Sequence, residues 1–563
     1  MTGVAIAAPH SDAVTAAEAV VSKGGGAVDA AIAAAAALTV AYPHQCSIGG
    51  DLIALFRSPD GEVRAVLSAG AAAAGFDVTA VAGLDRMPPG GPLAITVPGV
   101  VAGWARLAEL GARLPLGDLL QPAIGLARDG VAVSPGLARG THDRLAVVRQ
   151  DPGLSALVLD EAGEPLPVGA TLRQPVLAAT LTEVAGDWKS FYTGPLSQRV
   201  AAALEKFGSP LRASDLAAHE PEVCEPLSTT KDGVVWSVAP PPSQGAALLA
   251  VLAAAPAERL AAAREAELRR DALLGDPAMG PIDVAGLLGA ASRSVEALPT
   301  GPKPAGDTVA VTAVAEDGSA VTLIQSVFQT FGSGLLDPGT GIVFHNRGSA
   351  FSIDPDHPGR VRPGARPPHT LCPVIAVSDE SVLSLGCQGG RAQAWILSQV
   401  AEDAMVAPDL RAVLDRPRWV IGSRDIDMPR PTLLLEPGVP TADALEAAAD
   451  SLGLDVVTSE TKRDDAGHVQ ACRLDRRPRP DTLLDAALDA APDGALNAAL
   501  DGALDAVPRP GGQTGPDSHA EPGSQTQPGR EAEPAQPSQS KAGKLLAAAD
   551  PRADGLGAVF TAN

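Results

Sequence analysis

Apolar residues recur along the chain with two different periods, and each period predicts a different kind of element. Between residues 13 and 41, Ala-rich stretches predict two buried or half-buried helices, separated by Lys23-Gly24-Gly25-Gly26. Short apolar runs at 53–56 and 63–67 flank Ser58-Pro59-Asp60-Gly61, where Pro occupies the second turn position. Such a pair of runs predicts a β-hairpin.

The middle and later parts of the chain continue this mixture. Residues 100–220 alternate helical stretches with Pro and Gly breaks. A strand is predicted at 236–239, followed by a rigid Pro-rich loop at 240–245 and an apolar helix from Ala246. Arg, Glu and Ala dominate residues 257–275, and this charged composition predicts a helix with a solvated outer face.

A second hairpin is predicted where apolar runs at 309–314 and 320–325 flank a Glu-Asp-Gly-Ser turn. Thr308 opens this hairpin. An N-terminal-nucleophile hydrolase needs a Ser, Thr or Cys that peptide cleavage exposes at the start of a strand, because the freed α-amine then serves as the base. Thr308 fits that need, although a β-branched residue also opens strands for purely structural reasons.

A stretch from 476 to 541 has a different composition, rich in Pro, Gly, Gln, Ser, Asp and Ala. It predicts a disordered insert, and an imperfect eight-residue repeat within it is typical of gene slippage. Order is expected to return at Leu545, with a final short strand that reaches Phe560.

Composition narrows the class of protein. The 563 residues carry a formal charge of −23, which argues against a surface that neutralises nucleic-acid phosphates. The longest apolar run, residues 30–42, is too short to span a bilayer, and residues 1–19 lack a signal-peptide pattern. These features predict a soluble, cytoplasmic enzyme without a membrane or nucleic-acid partner.

The cysteines and histidines suggest no metal chemistry. Five cysteines are scattered without a Cys-x-x-Cys pair, and no metal or organic cofactor is expected. Cys46, Cys372 and Cys387 are predicted to be small buried residues. His44 and His369 are interpreted as structural donors, with substrate contact as the alternative.

Several motifs together resemble the gamma-glutamyltransferase superfamily over nearly all of residues 1–475 and again over 545–560. A single glycine cluster would be a weak match, but their order and spacing are specific. The segments are Gly25 to Ala31, Pro43-His44, Ile48 to Asp51, Val97 to Trp104, Pro122 to Ile124, Pro241 to Gly245, Phe331 to Gly334, Pro338 to Ile342, Asn346, Asp550-Pro551-Arg552 and Asp554-Gly555.

The resemblance implies an α/β (α+β) protein with a four-layer αββα sandwich of the N-terminal-nucleophile hydrolase type. It implies self-cleavage between Asp307 and Thr308, giving chains 1–307 and 308–563 that stay together as a heterodimer, with further dimerisation left open. By carry-over Thr308 is the nucleophile, Ser326 hydrogen-bonds it and assists cleavage, and the amides of Gly389 and Gly390 form the oxyanion hole.

Departures from the family pattern argue against a γ-glutamyl substrate. Val309 and Ala310 stand where glutathione-processing members usually have Thr and His. Residues 67–74 lack the Arg that usually binds the α-carboxylate. The usual partners of the α-amino group are replaced by Phe328, Arg347 and Ala350, and the paired serines by His369 and Thr370.

Positive charge on another side of the pocket suggests an acidic substrate instead. Arg347 offers a fork of donors that matches a carboxylate, although a structural ion pair is the alternative. Arg360 and Arg362 are interpreted as solvated loop charges. The residues predicted to bind substrate are Asn346, Arg347, His369 and Thr370, in a pattern that resembles the branch containing oxamate amidohydrolase.

The leading hypothesis is hydrolysis of a small carboxylate-bearing amide through an acyl-enzyme on Thr308. One alternative within the same fold is γ-glutamyl hydrolysis or transpeptidation, or acylase activity on a larger substrate. A different alternative is a catalytically decayed scaffold, in which the acidic, Pro-rich insert recruits a partner.

Overall fold

The computed structural model describes residues 3–289, 307–423, 426, 428–476 and 543–561. The described strands are β1 (Gly3–Ala8), β2 (Asp51–Arg57), β3 (Val63–Ser68), β4 (Val131–Ala132), β5 (Thr171–Leu172), β6 (Glu222–Cys224), β7 (Leu227–Lys231), β8 (Val234–Val238), β9 (Asp307–Ala315), β10 (Ala320–Phe328), β11 (Leu336–Asp337), β12 (Ile342–Val343), β13 (Val374–Val377), β14 (Ser381–Cys387), β15 (Trp419–Gly422), β16 (Thr432–Leu435), β17 (Asp455–Thr458), β18 (Val469–Asp475), β19 (Lys544–Ala549) and β20 (Leu556–Thr561).

Helices occupy much of the chain between these strands. The described α-helices are α1 (Ser11–Val21), α2 (Ala27–Ala41), α3 (Val100–Gly111), α4 (Leu116–Asp129), α5 (Pro135–Asp143), α6 (Leu145–Val148), α7 (Pro152–Val158), α8 (Pro175–Gly186), α9 (Ser190–Thr193), α10 (Pro195–Phe207), α11 (Ala213–Ala217), α12 (Gly245–Ala253), α13 (Arg259–Leu273), α14 (Val284–Leu287), α15 (Gln393–Ser398), α16 (Ala401–Val406), α17 (Leu410–Leu414) and α18 (Ala442–Ser451).

Two antiparallel sheets form the centre of the compact unit that comprises Met1–Leu474 and Leu545–Asn563. The first sheet has the order β20-β1-β9-β10-β2-β3-β6, and the second has the order β19-β18-β14-β13-β8-β7. One apolar core lies between the first sheet and its helices, another between the second sheet and its helices, and a third between the sheets. The predicted four-layer αββα sandwich is confirmed.

The predicted Ala-rich helices are α1 and α2. Every residue of α2 is buried, because the helix packs against α1, α4 and the strands β9 and β10. Alanine side chains allow this close approach of a helix to a sheet from all sides. Within the described residues, no helix is both long and apolar enough to cross a membrane.

Both predicted hairpins are confirmed. Strands β2 and β3 pair antiparallel from Leu52 opposite Ser68 to Arg57 opposite Val63. Strands β9 and β10 pair from Ala320 opposite Val314 to Gln325 opposite Val309. Strand β20 also follows the prediction of a final strand, and it pairs with β1 at the edge of the first sheet.

The prediction for 257–275 is correct about the helix and about exposed Glu265, but two of the charged residues are not solvated. Glu267 and Arg270 of α13 are buried, with 3% and 4% of their surface exposed. Arg270 stacks over the ring of Trp395 and bonds to residues of the second sheet's loops. The charged side chain of Arg270 therefore makes specific buried contacts and is not solvated. The predicted insert at 476–541 lies outside the described residues apart from Arg476.

Asp29 is expected to be important for the stability of the helical layer. Its fully buried carboxylate accepts hydrogen bonds from the amides of Gly26 (2.8 Å), Arg113 (3.0 Å) and Leu114 (2.8 Å). Replacing it in Asp29→Ala leaves these donors unpaired and lowers the free energy of unfolding by about 3 kcal/mol, measurable by urea denaturation. Asp118→Ala, in the exposed first turn of α4, is the control and should change stability little. Equal stability of the two variants would contradict this role of Asp29.

Candidate active site

The candidate nucleophile lies between the two sheets. Successive side chains of a strand point to opposite faces, so Thr308 shares its face with Ala310. Ala310 belongs to the core between the sheets, whereas Val309 belongs to the core beneath the helices. The two residues that depart from the family pattern, Val309 and Ala310, are therefore core residues, and 2% of Thr308 is exposed.

A local irregularity in β10 brings Ser326 to Thr308. Regular pairing ends at Gln325 opposite Val309 and resumes at Phe328 opposite Asp307, as in a β-bulge. The Thr308 hydroxyl donates a hydrogen bond of 3.1 Å to Ser326 Oγ, and the Phe328 amide donates one of 2.7 Å to the same oxygen. Phe328 adopts a φ of 79°, a left-handed conformation that is costly for a bulky residue. The predicted contact between Thr308 and Ser326 is present.

The glycine pair predicted as an oxyanion hole follows the end of β14. Gly386 in β14 faces Ala310 of β9, which directs the strand end toward the start of β9. Gly389 and Gly390 have φ values of 139° and 49°, which only glycine adopts readily. Their amide N–H groups have no hydrogen-bond acceptor within the described part of the chain. They are therefore available as donors.

Arg347 is a buried cation close to Phe328 at the end of β10. It is 1% exposed, and its guanidinium lies 3.5 Å from the ring centroid of Phe328. It donates to Thr370 Oγ1 at 3.0 Å, and among the described residues no carboxylate lies within 4.0 Å of it. Burial lowers the pKa of Arg347 to about 9, with Asp51 acting in the opposite direction, so the side chain remains charged at neutral pH. The predicted alternative, a structural ion pair, is not found among these residues.

Asp51 connects β10, the strand that carries Ser326, to two histidines. It lies opposite Ser326 in the pairing of β2 and β10. Its carboxylate is 3.3 Å from His345 Nδ1 and 3.2 Å from His369 Nε2, and it accepts from the Gly70 amide at 3.1 Å. Burial alone would raise the pKa of Asp51, but interactions with His345 and then His369 outweigh it and hold that pKa below its usual range.

His369 and Asn346, both predicted to contact substrate, already have protein partners. Burial lowers the pKa of His369 to about 4, so its ring is neutral near pH 7 and donates to Asp51. The Asn346 side chain accepts from the Gln329 amide at 3.1 Å and donates to the Pro89 carbonyl at 2.6 Å. These contacts give both residues a role in holding the loops of the site together.

Sequence reasoning missed two polar residues of the site. The motif that contains Gln244 predicts no role for this side chain, and the charged composition around Arg270 predicts a solvated face. Gln244 donates to the carbonyls of Thr370 (2.6 Å) and Gly390 (3.0 Å). Arg270 donates to Gln244 Oε1 at 3.0 Å. The one available indication was a polar carboxamide directly before an apolar helix.

The C-terminal motif contacts segments that are distant in sequence. Asp550 forms an ion pair with buried Arg418, and Arg418 donates to the Gly467 carbonyl at 3.1 Å. Asp554 accepts from the Tyr42 hydroxyl at 2.6 Å. The next carbonyl, that of His468, accepts from the Gln388 amide. The C-terminal motif therefore supports the end of β14, which lies beside the glycine pair.

Thiol and metal chemistry find no support in the described residues. Cys46, Cys372 and Cys387 are buried as predicted, and burial raises the pKa of Cys372 to about 12. A protonated, inaccessible thiol is a poor nucleophile. No group of three or more His, Cys, Asp or Glu side chains in the described ranges could hold a metal ion.

The fold and the site together define the class of N-terminal-nucleophile hydrolases. Two stacked sheets covered by helices enclose a hydroxyl residue near the start of β9, and the facing strand β14 leads to the Gly389 and Gly390 amides, which lack an acceptor among the described residues. The sequence model of the family described as Gamma-glutamyltranspeptidase matches residues 13–499. The chain belongs to this family.

Curated relatives narrow the comparison. The chain is similar to an oxamate amidohydrolase proenzyme of Klebsiella pneumoniae subsp. pneumoniae, with 36% identity over 86% of this chain and 96% of the relative. It is also similar to a glutathione hydrolase-like YwrD proenzyme of Bacillus subtilis (strain 168), with 32% identity over 74% and 85% of the two chains. The named activities make this chain an enzyme of the same family, and both names describe a precursor that is processed.

A solved structure supports the same conclusion. The cephalosporin acylase from Bacillus halodurans superposes with a TM-score of 0.73 at 29% identity, covering 85% of this chain and 92% of the acylase. The fold is therefore that of an N-terminal-nucleophile hydrolase.

The neutral state of His369 predicts a loss of stability in acid. The unfolded chain binds a proton on this histidine below about pH 6.5, whereas the folded protein resists protonation until about pH 4. This histidine does not change the free energy of unfolding above pH 6.5, but it lowers that free energy as the pH drops from 6.5 toward 4. Between pH 7 and 4.5, His369→Gln should lose about 2 kcal/mol less than wild type in urea denaturation.

His142→Gln is the control for that experiment, because 80% of the His142 side chain is exposed. It should retain the wild-type dependence of stability on pH. The same acid-induced loss in His369→Gln as in wild type would show that His369 is not the neutral buried group described above.

Proposed function

We propose that this protein is a self-processing amidohydrolase that hydrolyses a small carboxylate-bearing amide through an acyl-enzyme on Thr308. The observation that carries the proposal is the buried, charged Arg347 without a carboxylate partner among the described residues, linked through Phe328 to the Thr308–Ser326 pair. Asp51 offsets the cost of burying this cation only in part, since no carboxylate of the described residues lies within 4.0 Å of it. An anionic substrate would supply the missing charge.

Self-cleavage would precede turnover. In the proposed step, the Thr308 hydroxyl attacks the Asp307 carbonyl, the peptide shifts to an ester on Oγ1, and water releases the carboxylate of Asp307. Ser326 would hold the attacking hydroxyl through its 3.1 Å contact. The products are chains 1–307 and 308–563, and Thr308 gains a free α-amine.

The order of the strands supports a stable heterodimer of these chains. Strands β9 and β10 would belong to the small chain, while β1 and β2 on either side of them would belong to the large chain. The terminal strand β20, again from the small chain, pairs with β1 on its other edge. Backbone hydrogen bonds therefore join the two products across several strand boundaries.

In the proposed reaction, the α-amine of Thr308 takes the hydroxyl proton while Oγ1 attacks the substrate carbonyl. The amides of Gly389 and Gly390 would stabilise the negative charge that develops on the carbonyl oxygen. The tetrahedral intermediate collapses, and the amine or ammonia leaves with the proton. Water, activated by the same α-amine, then attacks the ester and releases the acid and Thr308.

The γ-glutamyl and acylase alternatives are distinguished by substrate. Oxamate and malonamate are short carboxylated amides, whereas glutathione and a cephalosporin side-chain amide test the alternatives. The segment at 67–74 contributes the Gly70 amide to Asp51 and contains no Arg for an α-carboxylate. Preference for oxamate or malonamate would support the proposal, and preference for glutathione would overturn the assigned substrate class.

Thr308→Ala should block both self-cleavage and amide hydrolysis, because the attacking hydroxyl is removed. Intact mass spectrometry of freshly purified protein should show chains 1–307 and 308–563 for wild type and a single chain for the variant. Thr312→Ala is the matched control, since Thr312 is another buried threonine of β9 whose hydroxyl contacts Cys472. Cleavage of Thr308→Ala at the same bond would refute the assigned nucleophile.

Arg347→Gln should weaken substrate binding through the loss of a charged hydrogen bond. Such a bond contributes roughly 1.5–3 kcal/mol, so KM should rise by about 10- to 100-fold for a carboxylated amide. Arg347→Lys should recover only part of the affinity because it lacks the planar fork. Steady-state kinetics measure both, with Arg360→Gln in the following loop as the control. Unchanged KM in Arg347→Gln would contradict the proposed anion site.

A further inference from the structure

Gln244 holds two loops of the site with one amide group. It is 1% exposed and directly precedes α12. Its Nε2 donates to the Thr370 carbonyl at 2.6 Å and to the Gly390 carbonyl at 3.0 Å. Thr370 in turn accepts from Arg347 through its hydroxyl. One carboxamide thus connects the glycine pair to the cation proposed to bind the substrate.

Arg270 fixes the orientation of that carboxamide. Its Nη1 donates to Gln244 Oε1 at 3.0 Å and to the Arg391 carbonyl at 2.9 Å. Its Nε and Nη2 bind Asp271, and its guanidinium lies 5.6 Å from the centre of the Trp395 ring. Because an arginine only donates, Gln244 must present its oxygen to Arg270 and its NH₂ group to the carbonyls.

The glycine pair needs such support. Gly389 and Gly390 lack side chains that could hold the loop, and both have backbone conformations that glycine leaves easily. Within the loop, the Ala392 amide donates to the Gly389 carbonyl and so orients the peptide group that joins Gly389 to Gly390. The carbonyls of the next two residues, Gly390 and Arg391, are held by Gln244 and Arg270.

We infer that Gln244 and Arg270 are positioning residues that hold the Gly389 and Gly390 amides in place for the oxyanion. This inference rests on the proposed function of the site. Gln244 and Arg270 precede the proposed cleavage point, whereas Gly390 follows it. The large chain therefore contributes to catalysis by fixing the oxyanion loop of the small chain.

Two substitutions separate this role from a general effect on stability. Arg270→Met keeps a side chain of similar length but removes the hydrogen bonds to Gln244 and to the Arg391 carbonyl. It should lower kcat by about 10- to 100-fold and leave KM within about two-fold, because oxyanion contacts form only in the transition state. Gln244→Glu keeps the acceptor for Arg270 but loses the donor to Gly390 and Thr370. It should lower kcat similarly and raise KM as well.

Arg269→Met is the matched control, because Arg269 is the adjacent residue of α13 and pairs with exposed Glu265. It should keep wild-type kcat. Arg270→Lys should restore part of the activity lost in Arg270→Met. Unchanged kcat in both Arg270→Met and Gln244→Glu, with cleavage complete, would overturn the inference. So would equal losses of kcat in Arg270→Met and Arg269→Met.

Hydrolysis of p-nitrophenyl acetate separates this inference from the proposed substrate class. The ester needs the nucleophile and the oxyanion loop but carries no carboxylate for Arg347. Arg270→Met should slow this reaction by the same factor as amide hydrolysis, whereas Arg347→Gln should not. Hydrolysis of the ester through Thr308 by wild type, but of none of the carboxylated amides, would refute the proposed substrate class. The ester rates of Arg270→Met would still test the positioning role. Absence of any Thr308-dependent turnover would contradict both.

Discussion

The close approach of β14 to β9 and β10 is the constraint on which the candidate site depends. A Cβ atom at Gly386 would lie 3.0 Å from Thr322 Cγ2 and 3.2 Å from Ala310 Cβ, so a side chain there would push the sheets apart. Because β14 leads directly to the glycine pair, the spacing of the sheets would set the distance between the proposed oxyanion donors and Thr308. Ala310, a departure from the family pattern, satisfies the same demand for a small side chain.

This packing joins parts of the chain that are far apart in sequence. The first sheet places β9 between β1 and β10, and the second places β14 between β18 and β13. Residues before and after the proposed cleavage point therefore contribute strands to the same two sheets. The C-terminal motif completes this packing, since Asp550 binds Arg418, which donates to the Gly467 carbonyl next to the His468 carbonyl that accepts from Gln388.

Charge in the site is distributed unevenly. Asp51 is buried with two histidines within 3.3 Å, while Arg347 has the Phe328 ring and neutral oxygen acceptors. An aromatic face and a hydroxyl compensate a guanidinium only in part. The protein has a net charge of −23, so the buried positive charge of Arg347 does not reflect a general excess of positive residues. Under the proposed function, an anionic group of the substrate would complete this compensation.

Much of this protein follows from its sequence alone. The helices α1 and α2 and the hairpins of β2–β3 and β9–β10 were predictable because period, turn residues and glycines act locally, and the ordered motifs indicated the fold and Thr308. The burial of Arg270 was not predictable, since the same charged helical period describes a solvated face. Nor did the sequence reveal that Arg347 lacks a carboxylate partner among the described residues. Both depend on how two sheets and their helices stack, which brings together side chains from distant segments and which no local pattern encodes.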